Sequence, residues 1–252
     1  MTRMAEDNLA LCFPQLPARS RESIKQASIE HSACAVFELA WLWYRPMPSV
    51  LQTINSLKVH PDFKNSAGGK IVISPHLGSW EILNLWLAEQ GPLISLYKPS
   101  DDETLDHFIR EKRSRNGAQL APANTAGLRH LFRGLRAGAT CLVLPDQRPA
   151  DKTAGINAPF YGVPALTSLL VSNICRKQNC EVYIASALRD TLLGQYQLRL
   201  DKLDRDQFMT SDVDGASYLN HCIEQCIGSD LEQYQWIYRR FDRPVYSALH
   251  TS

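Results

Sequence analysis

The stretch SPHLGSWEIL, residues 74–83, sets His76 and Glu81 five positions apart, directly after the apolar, β-branched run Lys70-Ile71-Val72-Ile73. A hydroxyl is too weakly acidic to attack a thioester unaided, and an imidazole near neutrality can take its proton. A carboxylate on the second ring nitrogen would fix the tautomer and stabilise the imidazolium. Positions i and i+5 stand ~140° apart on a regular helix, so the two side chains can meet only if His76 precedes the helix and the chain turns between them. Gly78 permits that turn and Ser79 is a suitable N-cap. Glu81 then falls in the first helical turn, where clustered N–H groups can also hold a phosphate or an oxyanion. The pattern suits acyl transfer. It fits equally a hydrogen-bonded structural histidine at a strand end and a glutamate drawn to a helix N-terminus by the dipole.

Such a pair needs a scaffold, and the hydropathy pattern supplies one. Strands are expected over residues 71–74, 93–97, 118–120, 140–144, 182–188 and 195–200. Helices are expected over 15–44, 80–90, 102–115, 125–136, 165–178, 213–227 and 231–236. Strands alternating with helical segments of this length indicate βαβ units and an α/β fold, a mostly parallel sheet flanked by helices. The short Gly-containing link over 189–194 suggests an antiparallel pair at one edge. The expected organisation is a single domain over 1–252, with a helical extension over 1–60 and an α/β core over 61–252. In open sheets of this kind ligands bind beyond the carboxyl ends of the strands, where His76 falls.

Composition removes several classes. A net charge of +1 gives no global polyanion signature, and no nucleic-acid partner is expected. The seven cysteines include no CxxC pair, so no metal site is expected, and reduced, mostly buried thiols in a cytosolic compartment are. No GxSxG, GxxxxGK[ST] or GxGxxG occurs, which counts against an α/β serine hydrolase and against nucleotide chemistry. The most apolar stretch, residues 33–44, contains Glu38 and falls short of a ~20-residue span, so a membrane-surface or core helix is expected.

Several stretches in order resemble the lipid A biosynthesis acyltransferases, bacterial lauroyl- and myristoyl-type enzymes related to the glycerolipid acyltransferases. HLGSWE matches the family's HX4E element. Tyr97-Lys98-Pro99, Arg113-Ser114-Arg115, Pro145-Asp146-Gln147, the loop Phe160 to Ala165, EQYQWIYRRF from Glu232 to Phe241, and NLALCFP from Asn8 to Pro14 follow the family pattern. The resemblance implies a glycerolipid acyltransferase-like fold, with His76 as general base and Glu81 as its orienting partner. It implies Arg113 as a catalytic or donor-binding residue, and Arg115, Asp146, Tyr97 and Lys98 as substrate-binding positions. The implied donor is a fatty acyl thioester, on acyl carrier protein or coenzyme A, with no further cofactor. The implied acceptor is a hydroxyl of a lipid A-type glycolipid or a related lipid. The family places a membrane-spanning helix ahead of the NL..CFP stretch, whereas seven residues precede it here. The expectation is peripheral contact with the cytoplasmic side of the bacterial inner membrane, and no transmembrane segment in this chain. The alternatives are a non-catalytic lipid- or acyl-carrier-binding homologue, and an acyltransferase with a soluble or non-lipid A acceptor.

Two clusters allow opposed readings. The Arg239-Arg240 pair beside Trp236, Tyr238 and Phe241 suits either a membrane-facing anchor or a core helix end. The group Phe37, Trp41, Trp43 and Tyr44 poses the same choice, with packing expected for most of it.

Overall fold

A computed structural model describes residues 2–192 and 194–250. Leu193, inside the predicted link, lies outside the described residues. The first half of the chain runs α1 (Thr2–Cys12), α2 (Ala18–Tyr44), α3 (Met47–Leu51), β1 (Ile54–Val59), α4 (Asp62–Asn65), β2 (Gly69–Ile73), α5 (Trp80–Glu89), β3 (Leu93–Tyr97) and α6 (Glu103–Arg113). The second half runs β4 (Gln119–Pro122), α7 (Thr125–Arg136), β5 (Thr140–Val143), β6 (Gly155–Phe160), β7 (Val163–Ser168), α8 (Leu170–Lys177), β8 (Cys180–Arg189), β9 (Tyr196–Leu203), α9 (Asp212–Ile227) and α10 (Arg243–Leu249).

Seven strands form one sheet in the order β1-β9-β8-β2-β5-β3-β4, parallel except for the β8–β9 pair. The fold is the expected α/β architecture. β2 is central and buried along its whole length, which is why Lys70 to Ile73 reads as a continuous run rather than an alternation. Its side chains still alternate between faces. Ile71 and Ile73 join one core with α1, α8 and α9, while Val72 joins the other with α5 and the end of α2.

Four features depart from the expected pattern. A separate helix, α1, precedes α2, and the chain breaks at Pro14 and Pro17 between them. Residues 54–59, assigned above to the helical extension, form β1 and pair with β9; their half-polar, part-exposed pattern is that of an edge strand. The expected helix over 165–178 begins only at Leu170, because Val163–Ser168 pairs with Gly155–Phe160 as a separate hairpin. Tyr161 and Gly162 turn that hairpin at positive φ (47° and 78°), and Pro159 opposite Pro164 hides its strand signal. Finally, residues 231–236 form one short 3-10 turn over Leu231–Gln233, after which Tyr234 is extended and the chain turns again at Trp236.

Glu38 is 2% exposed on the inner side of α2. Arg189 donates to both of its oxygens (2.6 and 2.5 Å), and the Tyr196 hydroxyl donates at 2.8 Å. Removing one partner of such a pair leaves an uncompensated buried charge. Arg189→Met is therefore expected to lose about 3–5 kcal/mol, and joint replacement of Glu38 and Arg189 by apolar residues considerably less. Urea unfolding of the two variants checks this; equal losses would mean that the charges do not act as a pair. The Arg239-Arg240 segment is no membrane anchor. Arg240 is 3% exposed and donates to the Leu166 carbonyl and to Thr167, while Trp236 is buried. No helix among the described residues is long and apolar enough to cross a membrane.

Candidate active site

His76 and Asp146 come from loops that follow adjacent parallel strands, β2 and β5, at their carboxyl ends. The His76 loop is pinned by main chain. Gln235 N–H donates to the His76 carbonyl (3.0 Å), Gly78 N–H to Gln233 O (3.1 Å) and Ser79 N–H to Ala187 O (2.7 Å). The Gln233 side chain in turn bridges the Arg189 backbone. Asn8 donates to the carbonyls of Trp236 and Tyr238, both at 2.7 Å. The NL..CFP and EQYQW stretches thus hold the histidine loop from behind. Gly78 stands at φ 62°, and a Cβ there would lie 2.1 Å from the Ala187 carbonyl oxygen. Gly78→Ala is accordingly expected to lose at least about 3 kcal/mol of stability, read from a denaturant melt, because both the backbone and the neighbouring strand resist it. Ser79 occupies the N-cap position of α5 as expected, but its hydroxyl makes no cap bond.

The carboxylate in contact with the His76 ring is Asp146, not Glu81 as expected from the sequence. His76 N–H donates to Asp146 Oδ2 (2.9 Å), and His76 Nδ1 lies 2.7 Å from Asp146 Oδ1. Burial of Asp146 works against its ionisation, yet the His76 imidazole and N–H outweigh that and hold its carboxyl below the usual range. An ionised carboxylate only accepts hydrogen bonds, so the neutral tautomer that suits this contact carries its proton on Nδ1 and leaves Nε2 bare. The Gln147 amide reaches Nε2 at 3.3 Å. Tyr234 stays a phenol beside this pair, pushed up by burial and by the Asp146 charge.

Glu81 turns away from His76 and binds Arg113. Arg113 Nε donates to Oε1 at 2.8 Å, and Nη2 donates to the same oxygen. The first turn of α5 aims Glu81 at the end of α6 rather than back at the His76 loop. Burial raises the Glu81 carboxyl, with Arg113 pulling the other way. Its second oxygen, Oε2, is buried without a hydrogen bond, as is Trp43 Nε1. Trp80 links the two halves of the site. The Arg113 guanidinium lies over its ring at 4.6 Å, and the His76 ring meets it edge-on at 6.0 Å between centroids.

The other expected positions sort differently. Arg115 donates to the carbonyls of Leu42 and Arg45, so it closes the end of α2 and does not reach the His76 crevice. Tyr97, at the carboxyl end of β3, donates to Asp106 (3.2 Å) at the base of α6. Lys98 beside it is exposed. Neither has a hydrogen bond or ring contact with His76. Trp80 escaped sequence reasoning although it lies inside HLGSWE, because an aromatic in an apolar helix start reads as packing. Gln147 had a signal, its place directly after Asp146.

Residues 1–243 match a family model described as bacterial lipid A biosynthesis acyltransferase. The chain is 26% identical over 242 residues to the lipid A biosynthesis acyltransferase of Haemophilus influenzae, covering 94% of this chain and 76% of that protein. It is 26% identical over 249 residues to the lipid A biosynthesis palmitoleoyltransferase of Escherichia coli, covering 96% and 79%. Against the lauroyltransferase of the same organism the identity is 20% over 242 residues, covering 95% and 78%.

Proposed function

The chain belongs to the bacterial lipid A biosynthesis acyltransferase family, and on that premise we propose that it moves a fatty acyl group from an acyl thioester to a hydroxyl of a lipid A-type glycolipid. The donor is acyl carrier protein or coenzyme A carrying the chain, and no further cofactor is needed, since the thioester itself supplies the activation. The observation that carries the reading is the buried Asp146 carboxylate 2.7 Å from His76 Nδ1, beyond the carboxyl ends of β2 and β5, where ligands of open α/β folds bind. His76 Nε2 takes the proton of the acceptor hydroxyl as its oxygen attacks the thioester carbonyl. The C–O bond forms, and the carbonyl becomes an oxyanion. Its collapse breaks the C–S bond, and the imidazolium returns the proton to the leaving thiolate, giving ester and thiol.

Arg113 supplies the positive charge. Glu81 and the Trp80 ring hold its guanidinium against the same indole that His76 meets, where it can bind donor phosphate or stabilise the oxyanion. Glu81 is thus a positioning residue for Arg113, and Asp146 one for His76. Lys98 offers an exposed cation to phosphate at the rim. The enzyme meets its acceptor by peripheral contact at the cytoplasmic face of the inner membrane.

The experiment is to incubate purified protein with acyl-acyl carrier protein, or with acyl-coenzyme A, and a lipid A precursor in detergent. Mass spectrometry is expected to find the precursor heavier by one acyl group. Hydrolysis of the donor with no acylated lipid from either donor would contradict the proposal.

A further inference from the structure

The outer half of α2 is built inside out. Over residues 32–44 the one charged side chain, Glu38, is buried, while Ala33, Val36, Phe37, Ala40 and Tyr44 are exposed. These five fall on one stripe of the helix, at the i, i+3, i+4, i+7, i+11 spacing that normally marks a face turned to a core. Val36 is 66% exposed, Phe37 72% and Tyr44 67%. The inward carboxylate is fully engaged by Arg189 and Tyr196, so the helix cannot roll to hide the stripe without stranding that charge.

The stripe ends in aromatic rings carrying cations. The Arg45 guanidinium lies over the Trp41 ring at 4.7 Å. Lys112, ion-paired to the exposed Glu111, lies over Tyr44 at 4.7 Å and Phe108 at 5.3 Å. Aliphatic and Phe side chains along a helix, then amphipathic rings, then cations is the order in which a bilayer surface changes from acyl chain to headgroup to anionic phosphate. Lys112 also precedes Arg113, and Arg115 ties the end of α2 to the same segment through the carbonyls of Leu42 and Arg45. The apolar face therefore adjoins the end of α6 that carries Arg113.

We propose that the 33–44 face of α2 seats the protein on an anionic bilayer, with Val36, Phe37 and Tyr44 inserted below the headgroups and Arg45 and Lys112 on lipid phosphate. This rests on the acyltransferase reading above and adds to it the surface by which the site is held at the lipid. The seat turns the Arg113 mouth towards the membrane, so that a lipid acceptor need not leave the bilayer to be acylated.

The test is flotation with vesicles of phosphatidylethanolamine and phosphatidylglycerol that contain no acceptor, beside acyl transfer to acceptor in detergent micelles. Wild type is expected to float with these vesicles and to bind phosphatidylcholine vesicles more weakly. The joint variant Val36→Ser, Phe37→Ser, Tyr44→Ser is expected to lose vesicle partitioning by on the order of a hundredfold, with an unchanged melting temperature and unchanged micellar turnover. Equal flotation of variant and wild type would overturn the seat. So would a wild type that ignores vesicles but sediments as a dimer which the variant converts to monomer, since the stripe would then face a second copy. Because flotation needs no catalysis, loss of micellar turnover in both proteins would count against the acyltransferase reading alone.

Discussion

His76→Ala is expected to lose acyl transfer by about three to four powers of ten in kcat while still unfolding in a single cooperative transition. General base catalysis contributes on the order of 10²–10⁴, and here the same imidazole also returns the proton to the departing sulfur, so the upper part of that range applies. The side chain is half-buried at the rim of the sheet, and the backbone bonds that pin its loop do not involve the ring. Removing the ring leaves the buried Asp146 carboxylate with the His76 N–H alone, so some stability is expected to be lost, and a cooperative melt with its midpoint above the assay temperature separates a chemical loss from an unfolded protein. Initial rates with saturating donor, beside a thermal melt, make the check. A His76→Ala enzyme within tenfold of wild type would remove the proposed base.

The second large effect distinguishes two carboxylates. Asp146→Asn keeps the shape of the site but turns an acceptor-only group into an amide that can donate, which favours the wrong imidazole tautomer. A loss of about 10³–10⁴ in kcat is expected, with little change in donor KM. Glu81→Gln acts on the other half. It weakens the hold on Arg113 and should raise donor KM and lower kcat by about 10-fold to 100-fold, leaving His76 oriented. Steady-state kinetics of both variants, each with the donor varied, would read this contrast. If Glu81→Gln removed turnover while Asp146→Asn left it intact, the pairing of base and carboxylate would be reversed. The two carboxyls also differ in their pH linkage. The Asp146 carboxyl is held low in the folded protein, so its stabilisation is complete above the unfolded value and disappears as pH falls through the folded one. The Glu81 carboxyl is raised, so its linkage has the opposite sign, and stability is lost as pH rises through its folded value. The stability gap between wild type and Asp146→Asn should accordingly shrink on acidification.

The sheet was legible because β2, β3, β5 and β8 are apolar runs bounded by turns, with amphipathic helices between them. β1 and the β6–β7 hairpin were not, for reasons that lie in their composition. INSLKV in β1 is half polar because it is an edge strand, and GINAPF carries a proline opposite another proline. The site divides in the same way. His76, Glu81, Arg113 and Asp146 were all identified from motifs, but their partnerships depend on tertiary geometry. Spacing could say that His76 and Glu81 do not share a helix face. It could not say that β5 runs beside β2 and delivers Asp146 from 70 positions further along the chain. The apolar stretch of α2 was open to two readings, core or membrane surface, for a related reason. An apolar helix face suits either, and the inward pairing of Glu38 with Arg189 from β8 reveals which way the helix is turned.

The most direct measurement is the protonation pattern of the His76 ring, by ¹⁵N-detected correlation spectra of histidine-labelled protein at a pH where the ring is neutral. The expected spectrum has the proton on Nδ1 and a bare Nε2 in wild type and in Glu81→Gln, with that pattern lost in Asp146→Asn. A ring that keeps its Nδ1 proton without Asp146 and loses it without Glu81 would contradict the central claim.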